Sequence, residues 1–342
     1  MTLFTETSSK NLTRNLPKIS IVTPSFNQGH FIEETILSVL SQDYPNLEYI
    51  IIDGGSTDET VDIIKKYEKG ITYWISEKDR GQSDAINKGL KIATGDVFNW
   101  LNSDDLLAPN ALWVIGYYFL DHPKSTALLG HLQTFEGENN FSSPYRMTII
   151  KEDLPYNMIF SGMTQQSLFY RMDTVKQLLG VDTRLYFCMD FDLWCRFITH
   201  YGLDDIDFTK ETLAYFRIHT MAKSQLVYQG YDERRKVLLS MLSTIGISQS
   251  YLRELNSDST GYFFDKKWDF KKKLLPLETV IAYIVELFLV IPYFDYPLSK
   301  SIRFWFFSLK NKPFRRRNYF YTLPLRLIYR KTKKQNDFKN KK

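Results

Sequence analysis

The sequence predicts an α/β fold: a mostly parallel sheet flanked by helices, followed by a C-terminal helical extension rich in basic and aromatic residues. Three observations predict it. From Lys18 onward, short apolar runs alternate with helix-patterned segments of ten to thirteen residues, and strands joined by crossover helices pair in parallel with both sheet faces covered. A polar loop follows each of the first four apolar runs. Charge is also divided: residues 266–342 hold 20 Lys and Arg against 5 Asp and Glu, net +15, whereas residues 1–265 hold 24 against 34, net −10.

The elements follow in order. "MTLFTETSSKNLTRNLPK" has no apolar core of signal-peptide length, so residues 1–17 are expected to be a flexible leader. "ISIVTPSF" (Ile19–Phe26) reads as a buried strand stopped by the Asn27-Gln28-Gly29 turn. "HFIEETILSVLSQ" sets Ile32, Ile36 and Leu40 at helical spacing with Val39 beside them. "LEYIIIDGG" repeats the strand signal, and Ser56 with Glu59 three residues on predicts a capping box for the helix in "TDETVDIIKKY". "ITYWISE", the helix-like "QSDAINKGLKIA" and "DVFNWLN" continue the series, with no low-complexity stretch and no other internal repeat. At 342 residues, 44% hydrophobic and 24% charged, the chain can bury one large core or a core plus an appendage. The boundaries expected are a leader over 1–17, the α/β domain over 18–225 and a helical region over 226–342.

In such a sheet a ligand sits outside the carboxyl ends of the strands. There the sequence concentrates "TPSFNQ", "DGGSTDET", "EKDRGQSDAIN" and "NSDD", four polar loops converging on one rim. The first loop lacks G-x-G-x-x-G, and no P-loop pattern occurs, which argues against dinucleotide and ATPase sites of those kinds. Asp53 alone would read as a turn or capping residue, and the company of the other loops makes it a binding candidate. Cys188 and Cys195, seven apart, suit neither a zinc knuckle nor a disulfide framework, so a reducing compartment is the simpler reading.

Between about Ile19 and Ser224 the combination "TPSFNQ", "DGGSTDET", "DRGQSDAINKG", "NSDD" and "MDFDLWCR" resembles the family 2 glycosyltransferases, enzymes of the GT-A (Rossmann-like) fold. The resemblance implies that residues 18–225 form a GT-A catalytic domain in which Thr23, Pro24, Phe26 and Asn27 meet a nucleotide-sugar donor. Asp53 is then expected to accept hydrogen bonds from the base or ribose, a role that suits a carboxylate. Arg80, Gln82, Asp84 and Asn87 match a loop and helix start whose amides face the donor, a place favourable to anions, with Asp84 at the position that contacts the sugar.

The adjacent aspartates of "NSDD" raise an electrostatic question. A nucleoside diphosphate brings close to two negative charges, which carboxylates at the rim repel unless a divalent cation lies between. Hard oxygen ligands suit Mg²⁺ or Mn²⁺. By the resemblance, Asn102-Ser103-Asp104 occupies the place of the family's D-x-D motif, with Asp104 the metal ligand and Asn102 and Ser103 on the donor side. Asn102 departs from the commoner first Asp and loses a second carboxylate contact. Asp105 either supports the metal ligand from behind or caps the following turn.

An inverting transfer also needs a carboxylate to take the proton of the attacking hydroxyl. In "CMDFDLWCRF", Asp190 matches the aspartate of the family's Glu-Asp pair, while Met189 replaces the glutamate and puts its acceptor contacts in doubt. Asp192, four residues before Arg196, is expected to form a helix ion pair, and Leu193, Trp194 and Phe197 to be core. "AYFRIHTMAKSQ" resembles an R-x-H-x-x-x-S segment lying over the diphosphate. His219 there is expected either to ligate the metal or to donate to phosphate, with Lys223 and Ser224 continuing the lid. Gln165 and Gln166 in "FSGMTQQSLFYR" are expected to contact acceptor hydroxyls.

The tail completes the expectation. Val280 to Phe294 is strongly apolar but carries Glu286 and Pro292 and is shorter than the roughly 20 residues that span a bilayer. With "IRFWFF", Arg315-Arg316-Arg317 and "NYFY" following, it reads as interfacial elements held to an anionic membrane surface, against the alternative of a helical subdomain packed on the catalytic domain. No nucleic-acid module accompanies the charge, so no nucleic-acid partner is expected. The expected enzyme is cytoplasmic, peripheral to the inner face of the membrane, and inverting. It moves one sugar from a UDP-, GDP- or TDP-sugar to a hydroxyl of a glycan or lipid-linked acceptor, in lipid-linked or cell-surface glycan synthesis. Q-x-x-R-W is absent, which points to single additions. The rivals are a sugar-phosphate nucleotidyltransferase, which needs a G-x-G-T-R-like loop not found here, and a non-catalytic membrane-associated scaffold.

Overall fold

The computed structural model describes residues 16–137, 140–144, 157, 163–223 and 227–244 of the 342. The leader up to residue 15, Ser224 and the apolar and basic tail named above lie outside them. The chain divides into two compact units. One holds Met1–Ile149 with Gly162–Glu233, and the other holds Ile150–Ser161 with Arg234–Lys342. In the second unit the described residues are Asn157 and 234–244, where Val237, Leu238, Leu239 and Met241 are buried.

The first unit is built on four parallel strands: β1 (Ile19–Ser25), β2 (Leu47–Asp53), β3 (Tyr73–Ser76) and β4 (Val97–Trp100), in the spatial order β3-β2-β1-β4. Ile19 lies opposite both Leu47 and Val97. All seven residues of β1 are buried, as a central strand covered on both faces requires. Helices α1 (Gly29–Leu40), α2 (Thr60–Lys66) and α3 (Gln82–Ile92) make the connections. Ile32, Ile36 and Val39 of α1 enter a core shared with Tyr49 and Ile51 of β2. The expected core of "LWCRF" is also found: Leu193, Trp194 and Phe197 are fully buried on a later helix, and Cys188 and Cys195 form no disulfide.

The rest of the sheet departs from the parallel expectation. Strands β5 (Leu106–Leu107), β6 (Ala127–Glu136), β7 (Asn140–Phe141), β8 (Leu168–Arg171) and β9 (Ile206–Arg217) extend it to nine among the described residues. The path is β3-β2-β1-β4-β8-β6-β9-β5, with β7 on β6. β8 runs antiparallel to both β4 and β6, β5 antiparallel to β9, and β9 parallel to β6. The reason is a long-range contact. The turn Gln165–Ser167 is pinned beside the end of β4, where Gln165 Nε2 donates to the Trp100 carbonyl at 2.6 Å, so β8 starts at that end and must run back along β4.

A second correction concerns the start of α2. The capping box is not formed: the helix begins at Thr60, and no side chain caps it from Glu59. Ser56 instead donates to Asp53 at 2.5 Å and accepts the Asn27 N–H at 2.7 Å. Asp58 takes the capping work, accepting the Thr60 N–H at 3.1 Å and the Gly29 N–H at 3.0 Å. One aspartate so placed ties the starts of α1 and α2 together at the rim.

Four further helices complete the described elements: α4 (Ala111–Asp121), α5 (Met172–Gln177), α6 (Met189–Tyr201) and α7 (Val227–Thr244). Asp192 and Arg196 pair at 2.8 Å on α6. No helix among the described residues is long and apolar enough to cross a membrane.

Candidate active site

A cavity of about 730 Å³ opens at the carboxyl ends of β1, β2 and β4, where the topology of an open α/β sheet puts ligands. Pro24, Phe26, Gln82, Asn102, Ser103 and Asp104 line it from the donor-side loops. Met189 and Asp190, at the start of α6, line it as well. So do Gln165, Gln166 and the segment after β9 that includes Met221 and Lys223.

The "NSDD" loop is held by an interlocking set of bonds. Asp105 is buried, at 1% exposure, and accepts from the Arg217 N–H at 3.1 Å, Gln166 Nε2 at 3.1 Å and Asn102 Nδ2 at 3.1 Å. Burial pushes its carboxyl pKa well up, and neighbouring Asp104 pushes it further, while those three donors pull it back. Asp105 therefore supports the loop from behind. Arg217 reaches further: Nε donates to the Asp104 carbonyl at 2.9 Å, and a second guanidinium nitrogen donates to Glu34 at 2.9 Å. Its guanidinium stacks 5.0 Å from the Phe31 ring and 4.4 Å from Phe135.

With its backbone so fixed, the Asp104 carboxylate is left facing the cavity. His219 Nε2 lies 3.1 Å from Asp104 Oδ2, and the imidazole packs on Phe31 at 4.6 Å. Asp104 lines the cavity and His219 stands just behind that lining, and an oxygen and a nitrogen at that separation suit a hard divalent cation completed by phosphate oxygens and water. Among the described residues no group of three or more His, Cys, Asp or Glu could hold a metal unaided.

A polar relay crosses the donor side. Lys223 Nζ donates to Gln82 Oε1 at 2.9 Å, Gln82 Nε2 to Asn102 Oδ1 at 2.8 Å, and Asn102 continues to Asp105. Lys223 also lies 3.9 Å above the Tyr186 ring. Burial holds its pKa below that of an ordinary lysine, opposed by Glu233, Asp104 and Asp79. Asn102, the residue that departs from the D-x-D pattern, thus orders the loop through both ends of its amide.

Six residues expected to meet the donor are not among those that line the cavity. Thr23 is fully buried and within 3.2 Å of the Tyr49 hydroxyl. Asn27 accepts the Thr57 N–H at 2.9 Å. Asp53 is fully buried and accepts from the Gly55 and Ser56 amides and the Ser56 and Ser76 hydroxyls. Exposed Arg80 pairs with Asp84 at 2.8 Å, and Asn87 is bound to both the N–H and the carbonyl of Val181. Loop amides claim Asn27 and Asp53, other segments claim Thr23 and Asn87, and Arg80 and Asp84 claim each other. Gln165 and Gln166 do reach the cavity, but their amide nitrogens turn inward to Asn99, Trp100 and Asp105.

Sequence reasoning also missed residues. Ser25 Oγ and Gln28 Oε1 are buried on the cavity wall without a hydrogen-bond partner among the described residues, the signature of polar atoms that await a ligand. Lys78, Asp79 and Tyr186 line the cavity too. The polar character of the first and third loops was the available signal for Ser25, Gln28 and Asp79, whereas nothing in the sequence brings Tyr186 to them.

Comparisons with known proteins bear on the family and the fold. Residues 20–184 match the model of "Glycosyl transferase family 2". An uncharacterised glycosyltransferase of Rickettsia typhi is 28% identical over 219 residues, 59% of this chain and 64% of that protein, so the match spans just under two thirds of its relative. Staphylococcus aureus TarS residues 1–349 with UDP superimpose with a TM-score of 0.55 at 17% identity, covering 84% of this chain and 88% of that one. The mannosyltransferase PcManGT of Pyrobaculum calidifontis with GDP-Man and Mn²⁺ gives a TM-score of 0.52 at 14% identity, covering 96% and 89%. Both structures share the fold.

Proposed function

The chain belongs to glycosyl transferase family 2, and on that premise we propose that it transfers one sugar, with inversion, from a nucleotide-diphosphate sugar to an acceptor hydroxyl. The observation that carries this reading is that Asp104 and Asp190 line one cavity. Pro24, Phe26, Gln82, Asn102 and Ser103 receive the donor, and the unpartnered Ser25 Oγ and Gln28 Oε1 supply further polar contacts. Asp104 and His219 would hold Mg²⁺ or Mn²⁺, which would supply positive charge against the departing diphosphate. Lys223 adds a second positive charge to the same side of the cavity. The structural neighbours support such a donor and metal, since TarS is bound to UDP and PcManGT to GDP-Man and Mn²⁺.

Asp190 takes the proton of the acceptor hydroxyl as that oxygen bonds to the anomeric carbon, and the carbon–oxygen bond to the diphosphate breaks. Its place in the first turn of α6 fixes the carboxylate at a rigid element's end, and the adjacent Phe191 N–H donates to Asp190 Oδ1 at 2.7 Å. A carboxylate oriented in this way needs no rearrangement when the hydroxyl arrives. The acceptor is a glycan or lipid-linked hydroxyl of the cell surface, reached by a chain whose basic tail favours an anionic membrane face.

The test is a panel of UDP-, GDP- and TDP-sugars, read as thermal stabilisation and as release of nucleoside diphosphate, with and without Mn²⁺. One donor should raise the melting temperature and be hydrolysed slowly only with metal. Binding of no donor, or turnover indifferent to metal, would contradict the proposal.

A further inference from the structure

The loop Tyr186–Cys188 leads directly into α6, and its three successive backbone N–H groups all donate to one carboxylate. Glu233 Oε1 accepts from Tyr186 at 2.8 Å, and Glu233 Oε2 accepts from Phe187 at 2.6 Å and from Cys188 at 3.0 Å. Glu233 belongs to α7, 45 to 47 positions further along the chain. One turn earlier on the same helix, the Gly230 carbonyl accepts from Cys188 Sγ at 3.0 Å. Residues three apart on a helix share a face, so one face of α7 grips one loop at two points.

That loop is where position matters most to the proposed chemistry. Two residues after Cys188 stands Asp190, and Tyr186, Phe187, Met189 and Asp190 all line the cavity. The amides at the entrance of a helix have no partner within it, so without Glu233 they would have to find water or reorient the loop. A carboxylate spends both oxygens on three N–H groups, and a charged acceptor makes these bonds stronger than neutral ones. Lys223 on the cavity wall is drawn to the same carboxylate and covers the Tyr186 ring. The start of α7 therefore holds this loop at two points, Gly230 on the cavity wall and Glu233 outside it.

We infer that Glu233 is a positioning residue for the acceptor side of the reaction: by tying the three amides of Tyr186–Cys188 it sets the location of Asp190. The inference rests on Asp190 as the base. Glu233 does not line the cavity, so its effect should fall on turnover and leave donor binding alone.

Two measurements on the full chain test it. In Glu233→Gln one carboxylate oxygen becomes an NH₂ that faces N–H donors, so hydrogen exchange in a peptide covering 185–191 should accelerate at least tenfold while peptides from β1 and β2 stay unchanged. In Mn²⁺-dependent hydrolysis of UDP-GlcNAc and GDP-mannose, whichever is turned over, kcat should fall at least tenfold with KM for donor within twofold. Unchanged exchange, unchanged kcat, or a loss expressed as a raised donor KM overturns the inference. Should Glu233→Gln fail to fold, Glu233→Asp, which keeps the charge but withdraws it by one methylene, carries the same readouts. Asp190→Asn separates the two claims. If it retains wild-type turnover the base assignment fails, whereas its inactivity beside an unaffected Glu233→Gln sinks only the positioning role. If neither donor is turned over, the enzyme reading fails for those donors and exchange alone decides against or for the tether.

Discussion

Arg217 Nε donates to the carbonyl oxygen of Asp104 at 2.9 Å, so the aspartate presented to the cavity is gripped through its backbone by a side chain 113 positions later. The same guanidinium reaches Glu34 on α1 and lies between two aromatic rings. A single planar head thereby joins α1, the "NSDD" loop and the end of β9. Lysine cannot reproduce such a fork. Arg217→Lys should cost about 2–3 kcal/mol in urea denaturation and raise the Mn²⁺ concentration that half-saturates turnover. Equal stability in the two proteins would mean that the clamp is ornamental.

Asp104 itself is tied through its backbone, so its side chain can be changed with little damage to the fold. Asp104→Asn should keep the melting temperature within a few degrees while lowering kcat/KM by about 100-fold or more, a loss of roughly 3 kcal/mol of transition-state stabilisation. A Mn²⁺ titration of initial rates checks it, and superimposable curves for the two proteins would remove Asp104 from the metal site.

Glu48, on β2 opposite Ser20 of β1, sits at 5% exposure and accepts from Lys18 Nζ, Ser20 Oγ and both the N–H and hydroxyl of Thr94. Burial alone would raise its pKa, but those donors outweigh it and hold the carboxyl at about 2, against an ordinary 4.5. The folded value is depressed, so the stabilisation is complete above about pH 4.5 and is lost as pH falls from there towards 2. The contribution is on the order of 3 kcal/mol. Glu48→Gln should be less stable at pH 7 by about that amount, and its stability should change less between pH 4.5 and 2. Parallel pH–stability curves for the two proteins would refute the assignment.

Gly89 lets α3 lie directly on β1. A Cβ there would stand 2.4 Å from Val22 Cγ1 on a strand that is buried throughout. Overpacking of this kind typically costs about 1–3 kcal/mol. Gly89→Ala should therefore lower the unfolding midpoint, and because α3 begins with the cavity residue Gln82, it should also raise donor KM. A variant as stable as the parent would show that the helix can move away freely.

Much of the site was legible in local pattern. Pro24, Phe26, Gln82, Asn102, Ser103, Asp104 and Asp190, singled out by the family resemblance of their motifs, do line one cavity, each close to the end of a strand or the start of a helix. The Asp192–Arg196 pair was legible from spacing, since four residues along a helix are neighbours in space. Asp53 and Asn87 went another way. Whether a polar side chain turns to a ligand or to its own loop depends on which donors the loop brings near, and Ser56, Ser76 and Val181 are placed by the fold.

By itself the sequence determined the four parallel strands, their helices and the rim on which the chemistry gathers, since hydrophobic period and turn residues act over a few positions. Only the tertiary structure decided the antiparallel return of β8, the grip of Arg217 on Asp104 and the bond of Glu233 to the loop before Asp190. Those contacts join residues tens to more than a hundred positions apart. Their energy comes from directional hydrogen bonds, which form only after apolar burial has brought the partners together.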